Sequence, residues 1–404
     1  MNNRFSPYFF SILLLLGATR LSTAQQAGFN YDESKVPSYS LPDLFVSTKG
    51  QEINTITDWN FVRRPEIISL FEDHVYGKLP RDLDGITFTL VNGDEQAMDG
   101  LAILKEVNVT VQRNGKSITM PLTVFVPKHH QGDAAPVFLL ITHRGPENID
   151  PTRKEKSDFW PAEMLISRGY AVAAIHVQDV SDDNKETFKE DILTKLYPEQ
   201  LTMSNGMRGL GAWAWGAMRA MDYFESDPDI DATRAGVVGH SRGGKAALWT
   251  GAQDTRWAIT ISNESGCGGA ALSRRRFGET VARINTNFPY WFTDNFNRYN
   301  DNEDALPVDQ HMLIAAIAPR AVYVASAEED QWADPKGEYL SLKLGSRAHQ
   351  TIYQMDTKLP QEQPKVGEPI HMGSLGYHMR GGTHNLTALD WSYFLDFADK
   401  LFQK

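Results

Sequence analysis

Five apolar runs constrain this chain most: "APVFLLITHRG", "GYAVAAIHV", "RAGVVGHS", "WAITISNESG" and "RAVYVASAEED". Each is continuous rather than alternating, as expected of strands buried on both faces, and such strands belong to parallel sheets covered by helices. The stretches between them supply those helices. One is "GMRGLGAWAWGAMRAMDYFESDP", whose Trp213, Trp215, Met218 and Met221 are expected in the core rather than at a ligand. Upstream the period changes. "LKEVNVTVQRNGKSITMPLTVFVP" alternates about an Asn-Gly pair, a hairpin signal, and "RRPEIISLFEDHVYGKLP" reads as a short amphipathic helix ended by Gly77 and Pro80. The expectation is an α/β protein with a doubly wound, mostly parallel sheet and an antiparallel N-terminal edge. No repeat or long linker divides residues 25–404, so one domain is expected there.

The first 24 residues stand apart. Arg4 precedes a largely apolar run from Tyr8 to Leu16, and Ser22 and Ala24 have the small-residue spacing of a cleavage site, which reads as a secretory signal peptide cut after Ala24. The run is too short to span a bilayer comfortably, and no cysteine follows it to carry a lipid. A secreted or periplasmic protein without a membrane span is expected. Losing Arg4 and Arg20 with the leader makes the net charge, −11 for the whole chain, two units more negative. Such acidity argues against nucleic acid as a partner. Cys267 is the one cysteine, so no intrachain disulfide exists, and that suits a bacterial periplasm or exterior better than a eukaryotic secretory route. A monomer is expected.

The third run leads into "AGVVGHSRGGKAALW", residues 235–249, where two incompatible motifs overlap. Gly239, Gly244 and Lys245 spell most of the phosphate-binding GxxxxGK, whereas Gly239, Ser241 and Gly243 spell GxSxG, the nucleophile elbow of serine hydrolases. The phosphate reading fails at Ala246, which stands where a hydroxyl must hold magnesium, and export removes the chain from nucleoside triphosphates. The elbow reading fits its surroundings. "RAGVV" is a strand, "GGKAALWTGAQ" starts a helix, and a nucleophile in the tight turn between them needs small neighbours. Ser241 is the candidate nucleophile.

A serine hydroxyl needs a histidine to take its proton, and in this fold the histidine follows the last strand. "GYHMRGGTHNLTALDWSYFLDFADKLF" offers His378 and His384 before a final amphipathic helix; His384, after the flexible "RGGT", is the better base. Two acids could orient it. Asp330 follows the strand "AVYVASA", the usual position for an α/β-hydrolase, and Glu264 follows the preceding strand "WAITIS". There is no HExxH or paired-cysteine site, so neither a metal nor an organic cofactor is implied.

"GHSRGGK" also resembles GxSRxGK, the nucleophile signature of the glucuronoyl esterases, carbohydrate esterase family fifteen. "NESGCGG", "SRRRFGET", "DQWADP", "MRGGTHNLTALDW" and the N-terminal "RRPEIISLFEDHVYGKLP" are similar to family segments in the same order. The resemblance implies an α/β-hydrolase that cleaves the ester between 4-O-methyl-glucuronic acid of glucuronoxylan and a lignin alcohol. It implies Ser241 as nucleophile, His384 as base, Glu264 as acid, and Arg242 beside backbone amides in the oxyanion hole. Lys245, Glu279 and Trp332 would hold the sugar hydroxyls. With Glu264 as acid, Asp330, two residues before Trp332, is assigned a supporting role, ordering the loop and sharing the histidine when Glu264 is lost. Fungal members carry a disulfide-bonded cysteine before the nucleophile where this chain has His240, so the pattern is closer to the bacterial branch. An acetylxylan esterase or general carboxylesterase of the same fold, and a non-catalytic carbohydrate-binding descendant, are the competing readings.

Overall fold

In the computed structural model, residues 28–128 and 133–403 are described; the expected signal peptide lies outside them. Ten strands form one sheet in the order β1-β2-β3-β5-β4-β6-β7-β8-β10-β9. They are β1 (Gly85–Gln96), β2 (Ala102–Arg113), β3 (Lys116–Pro127), β4 (Ala135–Thr142), β5 (Ala171–His176), β6 (Ile230–His240), β7 (Ile259–Asn263), β8 (Ala321–Ala327), β9 (Ile370–Met372) and β10 (Leu375–Arg380). From β5 across to β10 neighbouring strands run parallel, and β1, β2 and β3 form the expected antiparallel edge. The hairpin closes where expected, with Arg113 opposite Lys116 and both Asn114 and Gly115 at positive φ.

The five continuous runs became β4 to β8, and their alternate residues feed two cores. In β4, Val137, Leu139 and Ile141 face one core and Phe138 and Leu140 the other; Val322 and Val324 divide from Tyr323 and Ala325 in the same way along β8. Five helices of eight residues or more cover these faces among the described residues: α1 (Arg64–Phe71), α2 (Gly209–Ser226), α3 (Arg242–Gln253), α4 (Pro335–Gly345) and α5 (Ala388–Phe402). Helix α2 contributes Trp213, Trp215, Met218 and Met221 to the first core, as expected, whereas Trp391 and Phe394 of α5 pack in the second. Helix α1 continues in wider turns to Tyr76 and stops at Gly77, whose φ is 86°. No helix among the described residues is long and apolar enough to cross a membrane.

Two features departed from the pattern. Strand β1 is polar and largely exposed, so no burial signal marked it. Strand β10, with the short antiparallel β9 beside it, has no continuous apolar run to mark it, because His378 and Arg380 interrupt its apolar residues. Both are buried: His378 Nε2 lies 2.8 Å from Asp390 Oδ1, its Nδ1 lies 3.0 Å from the Tyr323 hydroxyl, and Arg380 Nε donates to Asp390 at 3.0 Å. His378 therefore belongs to the core, which leaves His384 as the histidine of this stretch free for chemistry.

Candidate active site

The parallel strands deliver their loops to one end of the sheet, where ligands bind in folds of this kind. Ser241 sits between β6 and α3 with φ 56° and ψ −122°, a conformation that costs energy and is kept where function needs it. The flanking glycines are required by close approach. A Cβ on Gly239 would lie 2.0 Å from the Gly243 carbonyl oxygen, and one on Gly243 would lie 2.5 Å from that of Ile141. The Ser241 amide donates to Asn263 O at 2.9 Å, tying the turn to the end of β7. The first amides of α3 have no carbonyl within the helix to bond, so the helix presents N–H donors and the positive end of its dipole beside the serine.

His384 stands between β10 and α5, its side chain 40% exposed. Its Nδ1 bonds Asp330 Oδ2 at 2.6 Å and lies 3.3 Å from Glu264 Oε2, so Nε2 is the nitrogen left for proton transfer. The structure thus brings both candidate acids to the same nitrogen of the base. Asp330 is the nearer acceptor. Glu264 is drawn away by other donors, Arg380 Nη2 at 2.6 Å from Oε1 and the Asn385 amide at 3.0 Å from Oε2. Burial would lower the His384 pKa, but its bonds to Asp330 and Glu264 outweigh that and push it up to about 9. Burial pushes the Glu264 carboxyl up to about 7, against the opposing pull of His384 and Arg380. Glu264, Asp330 and His384 also place ligand atoms within 4.8 Å of one another, the spacing a metal would need. The cationic Arg380 on Glu264 disfavours a second cation there.

The remaining motif residues line a small cavity of about 160 Å³ beside Ser241, with Lys245, Glu279 and Trp332 in its wall. Lys245 is buried one helical turn past the serine and donates from Nζ to the Ser265 carbonyl. Burial draws its pKa down while Glu279 opposes that shift; burial likewise raises Glu279, opposed by Lys245. Gly278, at φ 62°, lets Glu279 reach this wall, because a Cβ there would lie 2.5 Å from Trp332 O. The Glu279 amide then donates to that oxygen at 3.0 Å, and Phe29 meets the Trp332 ring edge-on at 5.0 Å.

Arg242 lies at the cavity mouth, its guanidinium 4.7 Å from the Trp291 ring centroid and bonded to Asp183. Asp183 Oδ1 also accepts from the Tyr290 hydroxyl and Trp291 Nε1, each at 2.8 Å. The clamp leaves Arg242 Nε buried without a partner.

Sequence reasoning assigned no role to Asp183, Arg380 or His240. His240 is fully buried, with Nδ1 2.6 Å from Asn263 Oδ1 and its ring centroid 4.3 Å from that of His384. Burial holds its pKa well below the histidine range, so it packs on the base as a neutral ring. Its position directly before the nucleophile was the one available signal. Asp183 lies in a segment whose local pattern carries none, and Arg380 lies in the family-like stretch "MRGGTHNLTALDW" without a role being assigned to it.

A family model described as fungal glucuronyl esterase matches residues 109–355. The chain belongs to the glucuronoyl esterase family. Carbohydrate esterase MZ0003, from an unknown prokaryotic organism, is 42% identical over 411 residues, covering 93% of each chain. The solved glucuronoyl esterase from Solibacter usitatus superposes with a TM-score of 0.84 at 35% identity, covering 91% of this chain and all of that one. The 4-O-methyl-glucuronoyl methylesterase of Schizophyllum commune is 27% identical over 80% of this chain and 76% of its own length. The glucuronoyl esterase fold is thus the α/β-hydrolase fold expected, and this member is closer in sequence to these bacterial relatives than to the fungal one.

Proposed function

We propose that this glucuronoyl esterase hydrolyses esters that join (4-O-methyl-)glucuronic acid of xylan to alcohols of lignin, through a glucuronoyl-serine intermediate. The observation that carries the reading is the small cavity beside Ser241, walled by a buried lysine, a carboxylate and a tryptophan, a set suited to the hydroxyls and ring of one sugar. An acetyl group is too small to reach this wall from Ser241, which favours a uronate over the acetylxylan alternative.

Ser241 Oγ attacks the C6 carbonyl carbon as His384 Nε2 takes the hydroxyl proton. Charge that develops on the carbonyl oxygen meets Arg242 Nε and the first amides of α3. The tetrahedral intermediate collapses, the carbon–alkoxide bond breaks, and His384 returns its proton to the departing alcohol. Water then attacks the ester on Ser241 by the same steps, releasing the uronate and free serine. Asp330 holds the imidazole through Nδ1 and stabilises the imidazolium, and Glu264 is the second carboxylate within reach. No step requires a metal or organic cofactor. The enzyme acts as a single exported catalytic domain, residues 25–404, and as a monomer.

The deciding experiment compares methyl glucuronate, methyl galacturonate and acetylated xylan as substrates. The glucuronate ester should be hydrolysed with the highest kcat/KM. Faster hydrolysis of acetylated xylan would replace this reading with an acetylxylan esterase.

A further inference from the structure

Besides the small cavity, Ser241 borders a larger cleft of about 580 Å³. The two spaces share Ser241, Arg242 and His384 and no other lining residue. An ester extends in two directions from its carbonyl carbon. If the uronate fills the small cavity, the larger cleft is the space left for the alcohol, and the histidine that must protonate it borders that cleft too.

The cleft is built by the loop after β4 together with residues 157–159. Arg144 is fixed through its backbone, its amide donating to Thr142 Oγ1 at 3.1 Å and its carbonyl 2.8 Å from His176 Nε2. Its guanidinium lies 5.4 Å from the centroid of the Phe159 ring, which itself packs edge-on against His143 and His240. Phe159 is buried and Arg144 half-buried, and both line the cleft. Among the described residues Arg144 has no carboxylate within ion-pair distance, and its Nε is buried without a partner. His143 Nδ1, in the same wall, is buried and unpartnered as well. Arg144 and His143 both line the cleft, and a guanidinium with no carboxylate of its own fits acceptor oxygens brought by a ligand. The planar guanidinium, supported on an aromatic ring, suits hydroxyl, ether or carboxylate oxygens better than it suits bare hydrocarbon.

We infer that this cleft is the leaving-alcohol subsite, and that Arg144 with His143 selects alcohols bearing an oxygen substituent near the ester. The inference rests on the uronate-esterase reading above. It adds a specificity-determining pair in a cleft on which the family motif is silent.

The test uses three glucuronate esters with the full chain: methyl, benzyl, and the ester of a phenoxy-propanediol, which carries both a hydroxyl and an aryl ether. The measured quantity is the ratio of kcat/KM for the oxygenated ester to kcat/KM for the benzyl ester. Arg144→Ala should lower that ratio about tenfold, as expected for losing one charged hydrogen-bond donor. Arg144→Lys should lower it less, and His143→Phe, which keeps a ring but removes the nitrogens, should lower it severalfold. Circular dichroism of each variant verifies folding, and the ratio cancels any general loss of turnover. A ratio within twofold of wild type in both Arg144→Ala and His143→Phe overturns the subsite. So does a loss seen instead with methyl esters whose uronate carries a xylo-oligosaccharide, which would give the cleft to the acyl-side chain. A wild-type enzyme inactive on all three esters but active on acetylated xylan overturns the parent reading and the subsite with it.

Discussion

The two spaces beside Ser241 are built differently. Around the small cavity Lys245 bonds the Ser265 carbonyl, Glu264 is held by Arg380 and Asn385, and the Glu279 backbone is pinned to Trp332. In the larger cleft Arg144 has no carboxylate partner among the described residues, and Arg144 and His143 each keep one buried nitrogen unpaired. A preorganised wall discriminates sharply because a poorly matched ligand leaves its groups unsatisfied, whereas a wide cleft tolerates variety. That division suits a reaction whose acid component is one sugar and whose alcohol component varies.

Ser241→Ala removes the atom both spaces depend on, so it should abolish hydrolysis of every ester by about 10⁴-fold or more in kcat, with the fold intact by circular dichroism. An ester that still turned over would break the idea of one nucleophile serving both spaces. The acids come next. Asp330 bonds the base but lines neither space, while Glu264 lines the small cavity. Asp330→Asn should lower kcat about 10²-fold and Glu264→Gln about 10-fold, and the double variant should fall below the product of the two, because each carboxylate covers for the other. If Glu264→Gln proves the more damaging, the order implied by the family motif stands.

Lys245→Ala sharpens the comparison from the small cavity alone. It should lower kcat/KM for methyl glucuronate about tenfold relative to nitrophenyl acetate, mainly through KM, since contacts to sugar hydroxyls persist in ground and transition states. An equal loss on both substrates would mean that Lys245 only holds the Ser265 turn. The smallest effect concerns pH. Two carboxylates raise the His384 pKa, and the base must be neutral to act, so the rising limb of kcat/KM should lie above the ordinary histidine value, toward about 9. Glu264→Gln removes one source of that stabilisation and should move the limb to lower pH. A limb that stays in place would show that Glu264 does not act on the base.

The parts legible from sequence were those where one physical demand governs a continuous stretch. Burial on both faces makes β4 to β8 unmistakable, and the steric demands of the elbow single out Ser241 with Gly239 and Gly243. Strand β10 was hidden because its inward polar residues are satisfied by Asp390, ten and twelve positions further on, which no local window captures. The order of the two acids was illegible for a related reason. The difference between 2.6 and 3.3 Å depends on where Arg380 and the Asn385 amide pull Glu264, and a motif records residue types rather than the path of a loop. The cleft residues after β4 follow a strand whose identity was clear, yet their role depends on Phe159 arriving from a separate segment.

Arg380 carries a consequence of its own. From the end of β10 it reaches Glu264, the carbonyls of Thr383 and Asn385, and Asp390, which is also the third residue of the capping box that starts α5. The loop that holds the base is therefore fastened at several points to groups that exist only in the folded protein. On heating, such a loop has no separate melting transition: the fraction of activity lost should track the fraction of protein unfolded, and the enzyme should lose its chemistry and its fold at one temperature.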